Sequence, residues 1–384
     1  MLTTEVFEKP EDFVSRLKDR TATQEDKIRN VQFLRMKNSG LFEVQDRNGE
    51  VHEYNLTDWA HGQISTYTGI PYSYYKRVNG TSQKLLAENV NHWFDQNKDD
   101  VRMVRIDGEY VRAFVSDRFK RIDNYDVASI AVEEAKKMTE NIKFRQAWVT
   151  DKMMNLELID PTQIIFIDPD KQAQFEQHEP GEHYFYEPGK EDVYMAGVSI
   201  TNSEVGYKAF EAQTYLYRLA CSNGLVLPYS IRKVHLGGRI GEGDWSRETQ
   251  KLDIALTESQ IRDIVQKAFD KNAIDKAIDQ LRASKDEKIP HPQIFVDMAA
   301  KEFALTDPER DGIWSNLSLE KDLSKYGFIQ AMTRTAQMHL GKFENERKYE
   351  MEKVAGTLVA GDKVWGYLVD ITEKEASKKK YKSQ

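Results

Sequence analysis

The stretch from Val101 to Ser116 restricts the fold most. It reads VRMVRI, then Asp107-Gly108, then EYVRAFVS. Apolar residues and arginines interleave on both sides of a two-residue turn, and Asp-Gly supplies the positive φ that a tight hairpin needs. A sheet must lie here, with apolar residues on one face and arginines on the other.

Helical periodicity rules the C-terminal third. Thr257 with Gln260 forms a capping box before IRDIVQKAF, and Ile274, Ile278 and Leu281 extend an apolar stripe. Past the Pro290–Pro292 break come FVDMAAKEF, YGFIQAMTRTAQMHL and NERKYEMEKVAGTLVA. The expected class is α+β: a central, mostly antiparallel sheet with flanking helices and a helical C-terminal third. Four parts are expected: an N-terminal extension over 1–56, an α+β core over 57–250, a helical region over 251–362 and a fraying charged tail over 363–384.

Local signals place further elements. Asn38-Ser39-Gly40 and Arg47-Asn48-Gly49 join strands in the extension. Thr57 caps a helix that Gly69 stops; Pro71 and Ser82 start the next two. Asn124 opens VASIAVEEAKKM; FRQAWVT, MNLELI, IIFI and VYMAGVSITN read as strands. FEAQTYLYRLAC reads as a helix ending at Asn223-Gly224, and residues 169–192 as a long exposed acidic loop.

No apolar run approaches the roughly 20 residues of a membrane span, and the N-terminus lacks the pattern of a signal peptide. Cys221 is the only cysteine, so no internal disulfide can form, and its apolar setting suits a buried structural thiol. These features point to a cytoplasmic protein with no membrane partner. The net charge of −8 disfavours a polyanion partner, although the distribution of charge on one face decides.

TGIPYSYYKRV with LLAENVNHWF, VRMVRIDGEYVRAFVSDRFKRIDNYDV, GVSITNSEVGYKAF with YLYRLACSNGLVL, and YGFIQAMTRTAQ with Ala355-Gly356 together resemble the phage/plasmid-like family of domain-of-unknown-function 932. The resemblance covers roughly residues 57–360, and RAFVSDRF and CSNG are its most specific pieces. It implies a phage, prophage or plasmid gene working in a bacterial cytoplasm, and it supplies no reaction and no catalytic residue.

Candidate chemistry is mostly cationic. Arg102, Arg105, Arg112, Arg118, Lys120 and Arg121 surround the hairpin. Guanidinium forks on one sheet face suit phosphate oxygens, while the neighbouring Asp107, Glu109 and Asp117 would make the same arginines an ordinary solvated face. Tyr72, Tyr74, Tyr75, Lys76 and Arg77 combine stacking surfaces with cations, or else pack their helix on the sheet. Asn202, Ser203 and Gly206 could cradle an anion or cap a turn. Arg232, Lys233, His235 and Arg239 flank glycines that match neither a Walker A loop nor a dinucleotide fingerprint.

Metal chemistry has little footing. His178 and His183 stand either side of Pro180-Gly181, H-E-x-x-H is absent, and a pair such as Asp168/Asp170 arises readily among 63 acids. No nucleophile motif is present and no cofactor is expected. The leading expectation is a single-stranded DNA-binding or annealing protein, with Arg102, Arg105, Arg112, Arg118, Arg121, Tyr74, Tyr75, Lys76, Arg232, Lys233 and Arg239 bearing phosphate or stacking bases. By analogy with annealing proteins, a homo-oligomer is expected. The alternative is a regulator that binds a host protein, for which the acidic loop is a natural bait. A metal-dependent nuclease ranks third.

Overall fold

The hairpin closes one residue later than expected: Asp107 pairs with Tyr110, and Gly108 (φ 56°) with Glu109 makes the two-residue turn. The computed structural model describes residues 5–177, 192–219, 223–233, 247–338 and 345–382. In chain order Glu5–Phe7 (β1) leads into the helix Pro10–Thr21 (α1), followed by strands Gln24–Asn30 (β2), Leu34–Met36 (β3), Phe42–Gln45 (β4) and Val51–Leu56 (β5). Helices Asp58–Thr68 (α2), Tyr72–Thr81 (α3) and Gln83–Gln96 (α4) precede the hairpin Val101–Asp107 (β6) and Tyr110–Ser116 (β7). Helix Asn124–Met138 (α5) leads to Lys143–Val149 (β8), Met154–Phe166 (β9), the short helix Pro169–Glu176 (α6), Val193–Asn202 (β10), Phe210–Arg218 (β11) and Asn223–Lys233 (β12). Seven helices follow: Arg247–Ala268 (α7), Lys271–Ala283 (α8), Pro292–Glu302 (α9), Asp307–Glu320 (α10), Lys325–Gln337 (α11), Asn345–Ala360 (α12) and Asp362–Lys382 (α13).

The strands form two six-stranded sheets. One runs β1-β8-β9-β10-β11-β12; the other runs β2-β6-β7-β5-β4-β3. The first is antiparallel throughout, and the second is antiparallel except where β5 pairs with β7. The α+β class is therefore the one the chain adopts, with two sheets rather than one.

Side-chain alternation explains the packing. On the second sheet Val44, Val104, Ile106 and Phe114 meet Ile64, Tyr75, Leu86 and Phe94 of α2, α3 and α4. On the first sheet Leu156, Leu158, Val198, Ile200 and Ala212 meet Phe13, Ala131 and Ile264 of α1, α5 and α7. Further along the same sheet Tyr194, Leu216, Leu225 and Leu227 meet the layer made by α8, α9, α10, α11, α12 and α13. Among the described residues no helix is long and apolar enough to cross a membrane.

Capping signals act where expected. Thr57 Oγ1 accepts from the Ala60 N–H and Gly69 ends α2 at φ 69°, while Ser82 Oγ accepts from the Leu85 N–H at the start of α4. Five expectations need correction. Residues before 57 supply four of the six strands of the second sheet. Phe210–Arg218 is strand, because Phe210, Ala212 and Leu216 point to the apolar core while Glu211, Gln213, Tyr215 and Tyr217 point away. Helix α7 is already running at Arg247, so Thr257 and Gln260 sit inside it. The tail is helical through Lys382, held by buried Trp365, Leu368, Thr372 and Ala376 on one face. The expected acidic loop begins as α6, whose cap is the Asp168 side chain; residues 178–191 lie outside the described residues.

Candidate functional site

Both faces of the arginine hairpin are covered. Val104, Ile106, Val111 and Phe114 enter the core with α2, α3 and α4, and Met103, Ala113 and Val115 pack against Val205, Trp59 and Tyr207. The segment after β10 makes this second contact, since both Trp59 Nε1 and Gln63 Nε2 donate to Val205 O, at 2.9 and 2.7 Å.

Arg105 and Arg112 are consequently not on a solvated face; each is 2% exposed. The pairing of β6 with β7 slips between Arg105 and Ile106, which leaves Arg112 as the extra residue of a bulge. The bulge aims Arg112 at Glu204, with which it forms a buried ion pair. Arg105 holds Asp26 through Nε and Nη2 (2.7 and 3.1 Å), Asp123 through Nη2 (2.8 Å) and Glu204 O through Nη1 (2.6 Å). Glu204 also caps α5 by accepting from the Asn124 N–H at 2.7 Å. Burial alone would raise the Glu204 carboxyl, but the Arg112 and Arg105 guanidiniums and the Asn124 N–H bring it down to about 2. This network fastens one sheet to the other.

The other expected contact residues scatter. Arg102 is half-buried with its guanidinium 4.1 Å from the Tyr67 ring centre. Arg121 is exposed but pairs with Asp26 at 3.2 Å, and Arg118 is exposed beyond β7. Tyr75 is fully buried, its hydroxyl 3.0 Å from His61 Nδ1, so it packs α3 and cannot stack a base. Tyr74 is half-buried and Lys76 exposed. Arg232 and Lys233 belong to the end of β12, where side chains are not described, and Cys221, His178, His183, His235 and Arg239 lie outside the described residues.

The anion cradle expected at Asn202 and Ser203 is occupied by the chain itself: Asn202 Nδ2 donates to Ile122 O and Asn124 Oδ1, and Ser203 Oγ to Lys152 O. Among the described residues one group could gather ligand atoms for a metal, Asp46 with Glu50 and His52. Asp46 Oδ1 there accepts from the Asn48 and Glu50 N–H groups, which is the work of a turn clamp.

A groove that the sequence reading missed lies in the helical layer. His291, Pro292, Gln293 and Ile294 at the start of α9 form one wall, and Trp314, Leu317, Ser318, Lys321 and Leu323 the other, around about 500 Å³. The spacing 314, 317 and 318 puts three residues on one face of α10, and Lys321 follows at its C-cap. Trp314 is 37% and Leu323 43% exposed, so large apolar surface faces solvent. His291 (φ 45°) and Lys321 (φ 55°), both in the left-handed region, edge this groove. The lining has no carboxylate, although the chain carries 63 acids. The overlooked signal was Thr306 with Pro308 and Glu309: a complete capping box starts α10 there.

A second polar cluster is closed. Glu211, Gln213 and Tyr215 of β11 and Glu157 of β9 face α12. Tyr349 Oη donates to Gln213 Oε1 (2.6 Å), Lys353 Nζ to Glu211 Oε2 (2.6 Å), and Arg145 pairs with Glu157. Gln337 Nε2 donates to Glu352 Oε1 at 2.7 Å; no hydrogen bond of normal geometry reaches Glu352 Oε2 or Tyr215 Oη among the described residues. A Cβ on Gly356 would lie 1.9 Å from Val226 O, so glycine permits α12 to approach β12 this closely. The cluster joins a helix to a sheet through its own side chains.

No protein-family model matches this chain, and no curated protein or solved structure matches it either.

Proposed function

We propose that this chain is a protein-binding factor that captures an apolar segment of another polypeptide between α9 and α10. The observation that carries the proposal is the groove whose exposed or half-exposed lining is Trp314, Leu323, Pro292 and Ile294. Its lining of apolar side chains without a carboxylate suits an apolar segment, with Lys321 at the rim and His291 facing the Glu373 carboxylate at 3.6 Å. A host-protein regulator encoded by a phage, prophage or plasmid, the setting implied by the resemblance to the domain-of-unknown-function 932 family, fits this reading.

The test is a pull-down from nuclease-treated bacterial lysate with the wild-type chain and Trp314→Ala. A specific polypeptide should survive the nuclease and be lost with the variant, whose circular dichroism and unfolding midpoint stay at wild-type values. Retention by the variant, or loss after nuclease, overturns the proposal.

A second reading, single-stranded nucleic acid, keeps one local support after the burial of Arg105, Arg112 and Tyr75. On α3, Tyr72 is 45% exposed, the Arg77 guanidinium lies 5.8 Å from the Tyr74 ring centre, and Lys76 is exposed. On this reading labelled oligo-dT binds with an affinity that falls steeply with salt, and Lys76→Glu/Arg77→Glu weakens it by at least about tenfold. Absence of binding at low salt removes it.

A further inference from the structure

We infer that a single strand of nucleic acid crosses from α3 onto α4, with its bases against Tyr74 and Trp93 and its phosphates at Lys76 and Arg77. The inference rests on the second reading above and gives that strand a path.

Helix α4 carries more apolar surface than its packing uses. Leu86, Ala87, Val90 and Phe94 face the core of the second sheet, each at most 1% exposed. Leu85 and Trp93 stay outside that core, 42% and 43% exposed. Leu85, Asn89 and Trp93 are spaced i, i+4 and i+8, so they form one stripe about 12 Å long at 1.5 Å per residue. The stripe meets α3 at its middle, where Asn89 Nδ2 donates to Tyr74 Oη at 3.4 Å. Tyr74 therefore stands beside the stripe, and the Arg77 guanidinium lies 5.8 Å from its ring centre. Tyr72, 45% exposed, is followed at i+4 by the exposed Lys76, so each outer ring of α3 has a cation as its helical neighbour.

The charges of this surface divide unevenly. Helix α3 carries Lys76 and Arg77 and no acid. The acids of α4 are Glu88 and Asp95: Glu88 lies 4.0 Å from Lys84, and Asp95 holds Arg35 of β3 at 2.5 Å. Helix α2, which packs on both, adds one acid, Asp58, in its first turn. Among the described residues no carboxylate pairs with Lys76 or Arg77. Phosphate oxygens can accept from both, and a base can lie on an exposed ring because every base has a π-face. An apolar peptide would cover Leu85 and Trp93 but leave these two cations unanswered.

Fluorescein-labelled oligo-dT and a duplex of the same length are titrated by anisotropy against the full chain across a salt series. The single strand should bind at least about tenfold tighter than the duplex, whose bases are already stacked. Two phosphate contacts give an expected slope of about −1.4 in log affinity against log salt. Lys76→Gln/Arg77→Gln should flatten that slope. Trp93→Ala should weaken binding at least about fivefold at every salt concentration and leave the slope unchanged, and Trp93→Phe, which keeps a ring, should recover most of the loss. Circular dichroism checks that the variants are folded.

Salt-dependent binding that Trp93→Ala leaves intact overturns the path across α4 and leaves the second reading standing. Equal affinity for the duplex overturns the path as well, since stacked bases cannot reach the rings. Absence of binding at low salt removes both. If no oligonucleotide binds and Trp93→Ala loses a polypeptide captured from lysate, the surface belongs to a protein partner and both are overturned.

Discussion

Glu204→Ala is expected to lower the stability of the folded chain by about 3–5 kcal/mol, the usual consequence of removing one member of a buried ion pair. The substitution leaves Arg112, already 2% exposed with Nε and Nη2 unpaired among the described residues, as an uncompensated cation. It also strips the acceptor from the Asn124 N–H at the start of α5. Urea unfolding followed by circular dichroism measures the effect. Replacing both charges, Glu204→Leu with Arg112→Met, should recover much of the loss, because the larger part of the penalty belongs to the stranded guanidinium. The pH dependence has a definite sign. Glu204 has a folded pKa of about 2, below its ordinary 4.5, so its contribution is complete above about pH 4.5 and vanishes as the pH falls toward 2. The variant should show a shallower acid limb over that interval. An unfolding midpoint within experimental error of wild type would remove the network as the fastening between the sheets.

Local chemistry was legible and long-range cover was not. Asp107-Gly108, Thr57 with Gly69, and Ser82 marked their turns and caps because each acts within four residues. Alternation in VRMVRI and EYVRAFVS marked which residues share a face. Whether that face meets water depends on Glu204 and Val205, and Glu204 stands 92 residues beyond Arg112. The bulge that re-aims Arg112 adds a one-residue slip that the strand pattern does not announce. FEAQTYLYRLAC failed for another reason: its aromatic and polar residues satisfy a helical period and a strand period alike, and only the neighbouring β10 and β12 decide. The groove depended on α10, whose capping box stood in the sequence and whose Trp314 lines a groove only because α9 supplies the other wall.

Raising the pH from about 5 to about 8 is expected to weaken the wild-type chain by about 3 kcal/mol through Glu352, and Glu352→Gln should abolish that loss. Burial pushes the Glu352 carboxyl up to about 7, and the nearby Glu157 carboxylate pushes the same way. Lys348 on α12 and Arg145 on β8 pull it down, as does the Gly224 N–H of β12, but Arg145 is already engaged by Glu157. Among the described residues α11 offers Glu352 the neutral Gln337 amide, and the neutral Tyr215 of β11 lies nearby. A carboxyl whose pKa is raised on folding favours the folded state while it stays protonated there. That advantage shrinks as the pH climbs from about 4.5, where the unfolded chain ionises, to about 7, where the folded chain does. Its direction is opposite to that of Glu204. Urea midpoints at pH 5, 6, 7 and 8 decide: the wild type should decline and Glu352→Gln should stay level and lie above it at pH 8. A level wild-type profile would mean that Glu352 is ionised in the folded chain at pH 5, and that α12 rests on the sheet without a neutral carboxyl beneath it.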